Sequence, residues 1–180
     1  MNAYKKRLTP ANEPVANGEV MSNNESSFTD KLTTSIKKKS LPEIRELLNM
    51  FQQLDDTTQE KALGAICVAS DNLAYSMLEQ IANAGFTNEV FKSKFMDHIL
   101  DRAHVNPNFI FIFTQIAKKE DLCKAAPLLN HILQSGTDTF ILLQTLIALG
   151  KTGKNEFTDT IADFIYYDNN ELMMAAINAL

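Results

Sequence analysis

Residues 109–117, Phe-Ile-Phe-Ile-Phe-Thr-Gln-Ile-Ala, return 31 residues later as Phe-Ile-Leu-Leu-Gln-Thr-Leu-Ile-Ala at 140–148. Five of the nine positions are identical, and two more exchange one large apolar residue for another. A third copy, Glu-Leu-Met-Met-Ala-Ala-Ile-Asn-Ala at 171–179, lies a further 31 residues on and keeps the pattern with softer side chains. A period of this length marks a stack of units, each burying its apolar face only against its neighbours. Such a chain is built to present an extended surface rather than one deep catalytic pocket.

Helical periodicity runs through the rest of the chain. Phe28, Leu32 and Ile36 fall at i, i+4 and i+8 after the candidate cap Ser26/Ser27. Pro42 suits a first helical turn, and Ile44, Leu47, Leu48, Phe51 and Leu54 follow it as a stripe. Asp55 to Thr58 breaks the pattern and supplies caps, Gly85 ends another helix, and Asn106-Pro107-Asn108 punctuates the chain before the first copy of the repeat. Further breaks fall at 135–138 and 150–153, and one helix is either entered or kinked at Pro127. The result is ten helices and no strand, paired as five hairpins: 28–39 with 41–54, 58–69 with 72–84, 88–103 with 107–118, 121–134 with 138–149, and 155–167 with 170–180.

The run Phe109 to Phe113, aromatic and β-branched, has strand propensity when taken alone. Its third copy is rich in Ala, Met and Leu, all strong helix formers. Equivalent units of a stack share one conformation, so the expectation is helix in all three.

Charge is uneven. Residues 1–40 carry seven Lys/Arg against four Asp/Glu, and the remainder ten against eighteen, for a net −5. An acidic body is a poor match to a phosphate backbone, so nucleic acid is not an expected partner. The basic residues at 5–7 are followed by no apolar stretch, which excludes a signal peptide or a membrane span there. The expected location is the cytoplasm. Cys67 and Cys123 lie 56 residues apart in apolar helical patterns and read as two buried thiols, not a disulfide.

The Ile-Ala-Leu-Gly-Lys-Thr-Gly of 147–153 and the Asp-Asn-Asn-Glu-Leu-Met-Met-Ala-Ala-Ile-Asn-Ala-Leu of 168–180 resemble HEAT-like repeats of the type found in phycobilisome lyases and many bacterial scaffold proteins. Those repeats end their second helix in Ala-Leu-Gly, a basic residue and another Gly, and precede it with an acidic turn. The resemblance is close over about residues 121–180; residues 26–120 share only the helix rhythm. It implies an all-α fold, a right-handed α-α superhelix forming a HEAT-like solenoid of about five helical hairpins over 26–180, behind a disordered tail of 1–25. The family's Arg in the first turn of the second helix is not matched, since Leu142-Leu143 and Met173-Met174 stand there.

Ile110, Phe113 and Ala117, with their counterparts in the later copies, make one helical face that is assigned to the core. A neighbouring face carries Phe109, Ile112 and Ile116, then Phe140, Leu143 and Ile147, then Glu171, Met174 and Asn178. In solenoids of this kind the second helices line the concave surface. Either this second stripe is buried between units, or it is an apolar groove for a partner helix or peptide. The expected function is a non-enzymatic scaffold or regulatory module that binds another protein there; a chaperone-like bilin lyase subunit is the alternative that the resemblance implies. His98, His104 and His131 have no metal-ligand spacing, and the 150–153 turn lacks the strand and first glycine of a phosphate loop. No cofactor is expected. Leu172, Ala176 and Leu180 would leave an apolar end on the last repeat, either continued in the natural protein or docked on another chain.

Overall fold

The computed structural model describes residues 19–180, with side chains from residue 28 onward; of the tail expected over residues 1–25, residues 1–18 lie outside the described residues. Ten α-helices and three short 3-10 turns make up the described residues, with no strand among them. The first helix, α1, is Glu19–Lys38. It begins seven residues ahead of the expected cap and runs through Ser26 and Ser27. Val20 and Met21 are the only large apolar residues between 19 and 27, too few for a readable period.

The others follow the expected breaks: α2 (Leu41–Asn49), α3 (Asp56–Cys67), α4 (Asp71–Ala84), α5 (Glu89–Ala103), α6 (Phe109–Ile116), α7 (Lys119–Ser135), α8 (Thr139–Thr152), α9 (Thr158–Ala162) and α10 (Asn170–Ala179). Caps explain several starts. The Asp55 carboxylate accepts the Thr58 N–H at 2.9 Å, Asn88 accepts Val90 N–H at 2.8 Å, Asp138 accepts Ile141 N–H at 3.0 Å, and Asn169 accepts Glu171 N–H at 2.9 Å. Asp138 and Asn169 are one 31-residue period apart, so the cap belongs to the repeat.

The doubtful stretch Phe109–Ile116 is helical, like its two copies. Phe109, Ile110, Ile112 and Phe113 are all buried. Burial of about 1.5–3 kcal/mol per side chain outweighs propensity deficits of about 0.7 kcal/mol per residue.

Two readings at helix ends are sharpened. The break expected over 150–153 falls at its far end: α8 continues to Thr152 and stops at Gly153 in the left-handed region, φ 66°. Gly150 serves a close approach instead: a Cβ on it would lie 2.6 Å from Ala179 Cβ and 2.7 Å from Ala179 Cα. Of the two readings of Pro127, entry is excluded, since Pro127 sits inside α7. Without an N–H it leaves the Cys123 carbonyl unpaired within the helix. Lys154 Nζ donates to that carbonyl at 3.2 Å.

The helices pack in a regular way. Each expected hairpin is in contact: α1 with α2, α3 with α4, α5 with α6, α7 with α8, and α9 with α10. Even helices also pack on the next even helix, from α2 through α4, α6 and α8 to α10. Among odd helices, α1 packs on α3, α3 on α5, and α7 on α9. Apolar residues buried between the two rows form one continuous core.

Polar links repeat along the stack at nearly the sequence period. Gln80 donates to Asn49 (3.1 Å, 31 residues apart), Asn88 to Asp56 (2.7 Å, 32 apart), Arg102 to Asp71 (2.7 Å, 31 apart), and Lys154 to the Cys123 carbonyl (31 apart). Lys94 pairs with Glu60 in the same sense, 34 apart. Polar links between successive hairpins are therefore present without an Arg in the first turn of α8 or α10. Odd-helix residues and neighbouring turns carry most of them.

Candidate functional site

The rows differ sharply in charge. In α6, α8 and α10 the only charged residues are Lys151 and Glu171. The odd helices α5 and α7 carry ten between them. Charge-poor helices are stable in water only if covered, yet this even face is partly open. Phe140 is 50% exposed, Ile147 38% and Met174 52%. Leu143 and Ile116 are half-buried.

Phe109 and Ile112 are corrections to the expected anchor set. Both are fully buried, so they belong to the core and offer no surface to a partner. The contrast between Phe109 and its copy Phe140 has a local cause. The Tyr75 ring of α4 stands edge-on to Phe109 at 5.7 Å, and the Arg102 guanidinium lies 5.3 Å from the Phe109 ring centroid. One period later those two positions hold Asn106 and Leu133. The small Asn106 sits in a turn, and Phe140 is left open.

Phe140 borders a cavity of about 260 Å³ with Tyr75 of α4 and Phe111 of α6. Phe111 and Phe140 are tilted 51° to one another at 5.2 Å. Asn72, Asn106, Asn108, Asp71 and Ile141 complete the lining. The Asp71 carboxylate is already engaged, by Arg102 Nη1 at 2.7 Å and Asn106 Nδ2 at 3.1 Å. Burial, with Glu79 nearby, pushes the Tyr75 hydroxyl above its ordinary value. Tyr75 thus stays a neutral donor throughout the neutral range. This mouth suits an apolar or aromatic side chain framed by amides.

Tyr75 and Phe111 were not singled out from the sequence. Phe111 lies between the core and groove stripes of its helix, and its copy Leu142 is buried. Tyr75 lies outside the repeated nonapeptides, and only the packing of α4 on α6 places it here.

The remaining chemistry is sparse. Among the described residues, no group of three or more His, Cys, Asp or Glu could hold a metal ion. No helix among them is long and apolar enough to cross a membrane. Cys67 and Cys123 are free and half-buried, not fully buried as expected. Burial raises the Cys67 thiol above its ordinary value, with the Arg102 charge opposing. Comparison of the chain with protein-family models, curated proteins and solved structures returns no match.

Proposed function

We propose that the protein is a non-enzymatic HEAT-like α-solenoid, a right-handed stack of five hairpins, that docks another protein along the open face of its even helices. The near absence of charge on α6, α8 and α10, combined with exposed Phe140, Ile147 and Met174, carries this reading. Docking on such a face desolvates almost no charge, which is the main cost of covering a polar surface. Phe140 over its cavity is the central anchor, because aromatic residues in pockets dominate interface energetics. A partner helix with apolar residues at i, i+3 or i+4, and i+7 would reach Phe140, Leu143 or Ile147, and Met174 in turn.

The test is Phe140→Asp with Ile147→Asp, set beside Val90→Asp with Val105→Asp. Val90 is on α5 and 67% exposed, and Val105 is in the turn after α5 and 85% exposed. The partner retained by the unmodified protein should be lost only with the first pair, at unchanged helicity and urea midpoint. Equal loss from both pairs, or from neither, contradicts the proposal.

A further inference from the structure

The five hairpins meet at four boundaries, and the third is built differently from the rest. At the first, second and fourth both rows close: α1 packs on α3, α3 on α5 and α7 on α9, beside the contacts of the even helices. At the third, α6 packs on α8, but α5 and α7 do not pack on one another in that way. The chain crosses there through two extended residues, Ala117 and Lys118.

Side-chain links follow the same division. Gln80 to Asn49, and Gln52 to the Gly85 carbonyl at 2.7 Å, tie the first boundary. Arg102, Asn88 and Lys94 tie the second, to Asp71, Asp56 and Glu60. Gly150 lies against Ala179 at the fourth. Among the described residues, the one ion pair or side-chain hydrogen bond across the third is Lys118 with Glu89 at 3.1 Å, and those side chains are 60% and 74% exposed. An exposed pair of this kind holds little. What remains is apolar contact between α6 and α8, which is non-directional and fixes no angle.

The even-face cavity lies on this boundary. Tyr75, Asn108 and Phe111 come from the second and third hairpins, and Phe140 and Ile141 from the fourth. The Phe111–Phe140 ring pair, 5.2 Å between centroids, spans it.

We infer that the stack flexes at its third boundary, turning on α6 and α8, and that the cavity widens and narrows with that motion. Two bodies joined through one helix pair and a two-residue connection have the construction of a hinge. The flexure needs no partner. Its consequence rests on the docking reading: a side chain seated between Tyr75 and Phe140 touches both bodies and so selects one angle.

Dipolar distances between paired spin labels test it in the free protein. Cys67→Ser and Cys123→Ser clear the native thiols, with Cys67→Ala and Cys123→Ala as the substitute background should helicity fall. Thr57, Val90 and Glu120 are the second residues of α3, α5 and α7, and all three are exposed. Labels on Thr57→Cys/Val90→Cys span the second boundary, and labels on Val90→Cys/Glu120→Cys the third. The third-boundary distribution should be the broader. Phe140→Ala removes the ring contact and should broaden it further, leaving the second boundary unchanged. Asn72→Cys with Thr139→Cys, the neighbour of Phe140, spans the mouth of the cavity and should share that breadth. Equal widths at the two boundaries, or equal broadening of both by Phe140→Ala, overturn the inference. A sharp distance between labels at 72 and 139 beside a broad third boundary overturns its extension to the cavity. Either result leaves the docking reading to its own test of partner retention.

Discussion

Glycine-to-alanine substitution at two helical positions should have opposite signs. Gly64 lies inside α3 and is exposed, and a Cβ added there meets nothing within 4 Å. Gly64→Ala therefore gains the intrinsic helix preference, about 0.8–1 kcal/mol. Gly150 lies inside α8 against α10, where the same Cβ falls 2.6 Å from Ala179 Cβ, 2.7 Å from its Cα and 3.2 Å from its carbonyl oxygen. Real contacts do not occur below about 3 Å, and the obstruction is partly backbone, so α10 must move outward. Overpacking of this kind costs about 1–3 kcal/mol, and a backbone obstruction puts it near the top of that range. Subtracting the helical gain leaves a net loss of about 2 kcal/mol for Gly150→Ala. Urea unfolding with a common slope reads both values. Ala179→Gly in the Gly150→Ala background should recover only part of the loss, since the Cα remains in the way. Stabilisation by both substitutions would refute the close approach of α8 and α10.

Arg102 donates to Asp71 and to the Cys67 and Ala69 carbonyls at the end of α3. Its side chain is only 15% exposed, so Arg102→Met should cost about 2–3 kcal/mol in urea unfolding, and Arg102→Lys should not rescue it, because one ammonium cannot serve this fork. Lys39 holds a left-handed backbone at φ 54°. Lys39→Gly should raise the unfolding free energy by about 1 kcal/mol, and no gain would show the αL turn to be unstrained. Hydrogen bonds from the Thr58 N–H and hydroxyl hold the Asp55 carboxyl below its ordinary value. A depressed folded value means stability that is full above the unfolded value and lost as pH falls through the folded one. Asp55→Asn keeps a cap but not this titration, so its urea midpoint should fall less between about pH 5 and about pH 3 than that of the unmodified protein.

Much of the architecture was legible because period and punctuation agree. Asp138 and Asn169 cap helices one period apart, and the apolar stripes between them fall at helical spacing. The same logic overrode the strand propensity of Phe109 to Phe113, since the third copy could only be a helix. Legibility failed where one side chain decides the outcome. Phe109 and Phe140 are identical in sequence and in register, yet one is buried beneath Tyr75 and the other stands open above Asn106. Nothing local to either nonapeptide reports that difference. Sequence left Pro127 as either an entry or a kink and did not separate Gly150 from Gly153 within one break; the long-range contacts that do so are Gly150 with Ala179, 29 residues away, and Lys154 with the Cys123 carbonyl, 31 residues away. Helix α9 was read as one helix over 155–167, whereas it is a short α-helix between two 3-10 turns. Apolar periodicity over so few residues does not separate the two hydrogen-bond patterns.

The open even face is the claim on which the functional account stands. A photoactivatable phenylalanine analogue placed singly at 140, 147 and 174, and in separate proteins at 68, 90 and 105, tests it in the cell of origin. The account expects one shared cross-linked partner from the first three positions and none from the second three. Cross-links from 68, 90 and 105 to that same partner, with none from 140, 147 and 174, would contradict it.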